Sequence, residues 1–237
     1  MPSLACLNGE ISAPEDAKVS IWDRGFLFGD AVYEVCRIYQ GRCWLEDEHM
    51  ARLKRSLREM RIEGLDIDRL YRRMHDTISR SGIEEGTIYV QITRGVAPRL
   101  HAFPDPRVPP TELIVVRPYD DSRTAEKRAS GVSVVSRPEL RWGRCDVKST
   151  NLLANVVAYQ EAAEQGGTEA VLVKPDGTVT EASHSSLLWV RDGQLEGTPE
   201  GPGILPGTTR LGVLRLAEAA RVPFREITIS LQELKHA

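Results

Sequence analysis

Hydrophobic and polar positions follow two patterns along the chain, one typical of strands and one typical of helices. Residues 32–39 have the composition of a strand, and Gln40-Gly41 predicts a turn into a second strand over 42–45, which together would form a hairpin. Helical spacing of apolar positions follows Asp47 and Asp66, so both residues are predicted N-caps. The apolar positions are Met50, Leu53, Leu57 and Met60 in the first helix, and Ile67, Leu70, Met74 and Ile78 in the second.

The same patterns continue to the end of the chain and define its fold class. Further strands are predicted over 87–93, 112–117, 132–136, 170–173, 179–181 and 187–191, and further helices over 152–164 and from Gly207. Because helices and antiparallel strands mix in both halves, we predict an α+β fold. A polar segment interrupts the pattern, which predicts an N-terminal α+β domain over 1–118, a linker over 119–123 and a C-terminal α+β domain over 124–237.

Composition excludes several classes of protein. The chain has 237 residues, of which 41% are hydrophobic, and a formal net charge of −3, which predicts a packed core and no nucleic-acid surface. The longest apolar stretches are too short to span a membrane. The four cysteines form no C-x-x-C pair and no zinc-ligand spacing, and the N-terminus has no signal-peptide pattern. We therefore expect a cytoplasmic protein without a metal site.

Lys148 is the first candidate for chemistry. It lies where a charged, irregular segment meets an apolar helix, and a lysine there can form a Schiff base if burial or nearby charge lowers its pKa. Most lysines are simply solvated. Glu181 ends a predicted strand, where a partly buried carboxylate could keep a pyridine nitrogen protonated, although spacing alone favours an ordinary surface glutamate.

Two further groups could bind anions. Gly207-Thr208-Thr209 begins a helix, whose unpaired N–H groups favour a phosphate, although simple capping by Thr208 explains the same pattern. Arg52 could add a cation, or could belong to a solvated helix face. Arg99 and His101 lie two apart in a proline-rich loop, so their side chains can point the same way toward a carboxylate; the alternative is a solvated loop.

Five segments occur in the order found in one known family. They resemble the motifs of the fold-type IV pyridoxal phosphate-dependent aminotransferases, which include branched-chain and D-amino acid aminotransferases and aminodeoxychorismate lyases. The resemblance runs from about residue 19 to the end of the chain. The segments are DRGFLFGDAVYE (23–34) with EHMARL (48–53), the lysine motif DVKSTN (146–151), the pyridine-nitrogen motif TEAS (180–183) and the phosphate motif ILPGTTR (204–210). TRGVAPRLH (93–101) resembles the version of the D-amino acid aminotransferases.

This resemblance implies a two-domain enzyme that binds pyridoxal 5'-phosphate in the domain cleft. Lys148 would be the catalytic residue that carries the cofactor. It also implies a homodimer, in which Arg99 and His101 reach the partner's site. The implied cofactor contacts are Arg52, Arg141, Lys148, Glu181, Ser183, Ser185, Leu205, Thr208 and Thr209, and the implied substrate contacts are Tyr33, Val35, Arg99 and His101.

The implied activity is transamination of D-amino acids with a 2-oxo acid acceptor. L-branched-chain or R-amine transamination and aminodeoxychorismate lyase chemistry on the same fold are the alternatives. Three features depart from the family pattern: Ala31 replaces a glycine, His184 and Ser186 occupy a loop that borders the cofactor, and the chain ends at Ala237 before the usual last strand and helix. The short end predicts a truncated C-terminal domain with an incomplete phosphate site, or else a cofactor-poor, non-catalytic remnant.

Overall fold

The structure of the protein, a computed structural model, describes residues 2–237 apart from the side chain of Arg123. The chain divides into two compact units, Met1–Arg123 with Val147–Asn151, and Thr124–Asp146 with Leu152–Ala237. Helices and strands mix in both, which confirms the α+β class. The first unit contains β1 (Leu4–Leu7), β2 (Glu10–Ser12), α1 (Arg24–Phe28), β3 (Ala31–Tyr39), β4 (Arg42–Cys43), α2 (Glu46–Glu59), α3 (Ile67–Ser81), β5 (Gly86–Thr93) and β6 (Thr111–Pro118).

The first unit is built on one six-stranded antiparallel sheet. Its strand order is β2-β1-β6-β5-β3-β4, and the predicted hairpin is the β3–β4 pair. Alternate residues of β3, such as Val32, Cys36 and Ile38, are buried against the helices, while Tyr33 and Val35 face the other side. This two-residue alternation lets one strand serve a core on one face and a site on the other.

Helices α2 and α3 cover the core face of this sheet through the predicted apolar positions, including Leu53 and Leu70. The prediction for α3 is confirmed, because Asp66 accepts a hydrogen bond from the Arg69 N–H and Gly82 ends the helix in the left-handed region. The Asp47 cap is wrong. Leu45 adopts φ 53° and the helix begins at Glu46, so Asp47 lies in the first turn, where its charge favours the helix dipole.

The second unit contains two three-stranded sheets. Their strand orders are β7-β8-β9 and β10-β11-β12. Helix α5 lies against β7 and β8 through the small side chains Ala158 and Ala162, which permit close approach. The elements are α4 (Ser122–Ser130), β7 (Val134–Pro138), α5 (Leu153–Glu164), β8 (Glu169–Val173), β9 (Val179–Ala182), β10 (Leu188–Arg191), β11 (Gln194–Gly197), α6 (Thr208–Ala219), β12 (Phe224–Glu226) and α7 (Leu231–Leu234).

The sequence patterns missed β1, β2, α1, α4, β11, β12 and α7, most of which are short. Helix α4 begins at Ser122, inside the predicted linker. That linker includes Arg123, whose side chain lies outside the described residues, and the domain limits stay a prediction.

None of the helices in the described part of the chain has the length and apolar character needed to cross a bilayer. Residues 2–237 hold no group of three or more acidic, histidine or cysteine side chains arranged for a metal ion.

Candidate active site

Lys148 lies on a short segment that pairs with the start of β3. The Tyr33 N–H donates to the Lys148 carbonyl over 3.0 Å, the Thr150 N–H donates to the Ala31 carbonyl over 3.1 Å, and Val32 and Ser149 form an antiparallel bridge. Opposed residues of such a pair project to the same face. The ammonium of Lys148 accordingly lies 4.3 Å from the centroid of the Tyr33 ring.

Tyr33 is the aromatic residue that contacts this amine. Its ring stacks on Tyr89 with centroids 5.6 Å apart, and burial followed by the charge of Glu34 raises the pKa of Tyr33. Val35 is exposed two residues along the same face of β3. The structure therefore brings together three of the predicted residues, Lys148, Tyr33 and Val35.

Glu34 occupies the opposite face of β3 and is a residue that the sequence patterns missed. Its carboxylate is 1% exposed and accepts hydrogen bonds from the Nε of Arg52 (2.8 Å) and from its NH2 (2.7 Å), and lies 2.7 Å from Nδ1 of His49. Burial by itself raises the pKa of Glu34, but the bonds from Arg52 and His49 outweigh it and the pKa is lowered. Arg52 is thus held by a carboxylate, and its role toward a phosphate stays a prediction.

Arg99 and His101 lie in an exposed loop of the first unit. Both contact one aromatic ring, since the Arg99 guanidinium lies 5.3 Å from the Phe28 centroid and the His101 ring lies 5.6 Å from it. Their side chains thus point the same way, as the two-residue spacing predicts. Among residues 2–237, none of the ring and hydrogen-bond contacts of these two side chains is to Tyr33 or Lys148.

Glu181 lies in β9 of the second unit, one residue before the end of that strand, and is 6% exposed. Its carboxylate accepts a hydrogen bond from NH1 of Arg141 and another from the Leu205 N–H at 3.2 Å. Burial is the largest influence on the pKa of Glu181 and raises it, the donors offset this only in part, and Glu139 adds to the increase. Arg141 also binds Glu139, so its charge is shared between two carboxylates.

The N-terminus of α6 offers backbone donors. Gly207 is the N-cap and has no side chain to occupy the first N–H groups, while Thr208 begins the helix; the predicted capping by Thr208 is therefore wrong. A Cβ on Gly207 would lie 2.6 Å from the Ser186 Oγ, so a larger residue here would require the Ser186 hydroxyl to move. Thr208 is buried and Thr209 exposed in this first turn, where the helix dipole favours an anion.

The loop after Glu181 is organised by a carboxylate that the sequence patterns also missed. Ser185 donates its hydroxyl to Glu169 over 2.9 Å, and Ser183 Oγ lies 3.5 Å from the same carboxylate. Nδ1 of His184 lies 2.9 Å from Glu169, and the His184 ring meets Tyr159 edge-on. The hydroxyls of Ser183 and Ser185 thus contact Glu169, and their contacts to a cofactor stay predictions.

Comparison with known proteins identifies the family. The family model of amino-transferase class IV matches residues 31–237. The D-alanine aminotransferase of Staphylococcus aureus (strain N315) is 39% identical over 232 residues, which cover 98% of this chain and 81% of that protein. The chain belongs to the class IV aminotransferases. The D-alanine aminotransferase of Bacillus licheniformis is 35% identical over 97% of the chain and 80% of its own length.

A solved structure agrees on the fold of this class IV aminotransferase. The branched-chain amino acid aminotransferase of Escherichia coli superposes with a TM-score of 0.88 over 99% of this chain and 80% of that one, at 24% identity. Class IV aminotransferases use pyridoxal phosphate, which is therefore the cofactor here.

The two units together contain each kind of group that this cofactor requires. Pyridoxal phosphate requires an amine for its aldehyde, an acid for its pyridine nitrogen and donors for its phosphate. Lys148 supplies an amine above an aromatic ring, Glu181 supplies a buried carboxylate, and Gly207 leaves the first turn of α6 without a side-chain cap.

Proposed function

We propose that this aminotransferase moves the amino group of D-amino acids to 2-oxo acids. The observation that carries the proposal is the pair Arg99 and His101, which present a guanidinium and an imidazole side by side on Phe28. A guanidinium binds a carboxylate through two parallel hydrogen bonds, and an imidazole N–H can add a third. The curated relatives at 35–39% identity carry the name D-alanine aminotransferase, which favours D-amino acids.

Lys148 performs the proton transfer in this proposal. When bound, pyridoxal phosphate draws the electrons of the substrate Cα–H bond into its ring. The Lys148 amine would take the proton from the substrate Cα as a general base and would then return it as a general acid. Its position over Tyr33 limits the directions in which the amine can point.

Glu181 keeps a proton on the pyridine nitrogen by offering a carboxylate to it. Thr208 and Thr209 offer the phosphate the N–H groups of the α6 first turn. Arg52 and Arg141 are further cofactor contacts in this proposal, with Ser183, Ser185 and Leu205 in the supporting loops. Tyr33 and Val35 border the substrate, which follows from their place on the same face of β3 as Lys148.

A direct assay tests the substrate class. The protein loaded with pyridoxal phosphate should convert D-alanine and 2-oxoglutarate, and L-alanine or L-leucine should react far more slowly. Turnover of L-leucine without turnover of D-alanine would instead identify a branched-chain enzyme.

The role of Lys148 has its own test. Lys148→Ala should lower kcat by at least about 10³-fold, because the variant loses its proton carrier. Lys174→Ala is the matched control, since Lys174 is an exposed lysine in a turn of the second unit. A visible absorption band of the bound cofactor that persists in Lys148→Ala would refute the assignment, and its absence from the parent protein would favour a non-catalytic remnant.

We also propose that the enzyme is a homodimer with Arg99 and His101 acting in the partner's site. The support is that these side chains are exposed and lack described contacts to Tyr33 or Lys148. Exposed apolar residues lie in the loop and in the helix that it contacts, where Leu100 is 66% and Phe26 is 73% exposed. Apolar surface of this kind is typical of an interface between subunits.

Subunit mixing tests the dimer directly. Lys148→Ala and Arg99→Ala proteins should each be nearly inactive with D-alanine, and a mixture refolded together should recover about a quarter of the sites, since half of the dimers are mixed and each holds one intact site. A mixture that stays inactive would place Arg99 in the site of its own subunit.

The free thiols of all four cysteines also support the proposal that the enzyme works in the cytoplasm.

A further inference from the structure

We propose that Arg24 is a positioning residue for substrate binding, because it holds the loop that carries Arg99 and His101. This inference rests on the proposed function, in which those two residues bind the substrate α-carboxylate. The loop is defined here as residues 98–103 and is called the carboxylate loop. None of its six residues belongs to a strand or helix and all six are exposed, so the contacts that order it must come from elsewhere in the first unit.

Arg24 supplies these contacts through backbone hydrogen bonds. Its NH1 donates to the carbonyl of Leu100 over 2.6 Å and to that of Ala102 over 3.2 Å. Its NH2 lies 3.4 Å from the carbonyl of His101. A single guanidinium therefore binds three consecutive carbonyls. With its bond to Asp30 it makes four hydrogen bonds, and a lysine ammonium has only three N–H groups.

Arg24 is itself fixed, so it can act as an anchor. The residue is 3% exposed, and its Nε donates to Asp30 over 2.9 Å. Asp30 also accepts two hydrogen bonds from Arg94, at 2.7 and 2.9 Å. The backbone N–H of Arg24 donates to Gly95 over 2.9 Å. A buried carboxylate that is shared by two guanidiniums keeps each of them in one orientation.

Phe28 adds a second support from the same face of α1. It lies four residues after Arg24, a spacing that places two side chains next to each other on a helix. Its ring lies 4.9 Å from the Arg24 guanidinium, and it is the same ring that contacts Arg99 and His101. Arg24 thus holds the backbone of the carboxylate loop, while Phe28 orients its two functional side chains.

The end of the loop is tied to the same carboxylate. Arg94 lies 3.6 Å from the centroid of the Phe103 ring, and Arg94 is bound to Asp30. Asp30 therefore binds both of the arginines that contact the loop, Arg24 and Arg94. An ordered loop loses less conformational freedom when a carboxylate binds, so this network should strengthen substrate binding rather than the chemical step.

Arg24→Lys is the first test, because it keeps the charge beside Asp30 and removes the fork. With the enzyme loaded with pyridoxal phosphate, KM for D-alanine should rise about 10-fold, the loss expected for charge-assisted hydrogen bonds to carbonyls, and kcat should change little. Hydrogen exchange of amides 98–103 should become faster. Arg72→Lys, an exposed arginine on α3, is the matched control and should change neither. An unchanged KM together with unchanged exchange would overturn the proposal.

A double-mutant cycle separates positioning from general structural damage. Arg99→Ala should lower kcat/KM for D-alanine by more than Arg24→Lys does, and adding Arg24→Lys to it should cause little further loss, since the residue that the loop positions is then gone. Losses that multiply would show that Arg24 acts elsewhere and would overturn the inference. If Arg99→Ala itself changes nothing, the proposed carboxylate site is wrong, whatever Arg24 does.

A second variant covers the case in which Arg24→Lys does not fold. Phe28→Leu keeps an apolar side chain and the Arg24 bonds but removes the ring beneath Arg99 and His101. KM for D-alanine should rise a few-fold, again only in proteins that retain Arg99. A rise of the same size in the Arg99→Ala background would contradict the positioning role of α1.

Discussion

Glu34 and Glu181 are both buried glutamates, one in each compact unit, and both are bonded to an arginine. Their pKa values nevertheless shift in opposite directions. Burial raises both, but the bidentate bond from Arg52 and the bond from His49 outweigh burial at Glu34 and lower its pKa. At Glu181 burial prevails and the pKa is raised. The number of charge-assisted donors, together with burial, decides the direction in which the pKa of each carboxylate shifts.

This difference matches the work that each glutamate does in the proposed mechanism. Glu34 has three donors from two residues of α2, so it stays ionised and fixes Arg52 and His49. Glu181 shares Arg141 with Glu139 and gains one backbone N–H from Leu205. A carboxylate with few charged donors around it is suited to accept a hydrogen bond from a pyridine N–H. The first glutamate is a structural anion, and the second is available to a ligand.

Substitution of Glu181 should have the largest effect on activity. Glu181→Gln keeps the shape of the side chain but removes the anion, so the pyridine nitrogen loses its proton and kcat should fall by about 10²–10³-fold. Cofactor binding should persist, because Lys148 and the α6 N-terminus are intact. Steady-state kinetics with D-alanine measure this, and Glu200→Gln, an exposed glutamate of the same unit, is the control. Unchanged kcat would remove Glu181 from the site.

Glu34→Gln should instead act mainly on stability. Removal of the charge leaves Arg52 and His49 buried beside a neutral amide, and breaking a buried ion pair typically destabilises by about 3–5 kcal/mol. Urea unfolding at pH 7 should show a decrease of this order in the free energy of unfolding. If Glu34→Gln lost kcat at full stability, the distinction between the two glutamates would fail.

The surroundings of Glu181 could be predicted from the sequence better than those of Glu34. Glu181 and Lys148 lie in motifs whose order along the chain identifies the family, and the strands and α3 follow from local patterns and caps. Glu34 is also in a motif, but its partners come from α2, and only an acidic residue at a core-facing strand position hints at them. The pairing of Lys148 with Tyr33 joins distant parts of the chain, which local spacing does not encode. Local patterns also failed at the start of α2, because Leu45 adopts a left-handed backbone conformation and the helix begins directly after it.

The pH dependence of stability gives a sharper test of Glu34. Its pKa is lower in the folded protein than in the unfolded chain, so its contribution to stability is present above about pH 4.5, the ordinary glutamate value, and is lost as the pH falls through the lowered pKa. The difference in unfolding free energy between the parent and Glu34→Gln should therefore shrink in acid. Urea titrations at several pH values measure it. A difference that stays constant with pH would mean that the pKa of Glu34 does not change on folding.

Substitution of Glu139 should have the smallest effect on activity, and it tests the pKa of Glu181 selectively. Its charge competes for Arg141 and helps to raise the pKa of Glu181. Glu139→Gln should therefore lower the pKa of Glu181 and change kcat at neutral pH by only about twofold, because Glu181 already prefers its ionised form beside a protonated ring. The fall in pyridoxal phosphate affinity on acidification, followed by absorbance titration, should then move to lower pH. The same substitution combined with Glu181→Gln should produce no such movement, because the group whose pKa it changes is absent. A movement that survives in the double variant would mean that Arg141 itself, and not Glu181, senses the charge of Glu139.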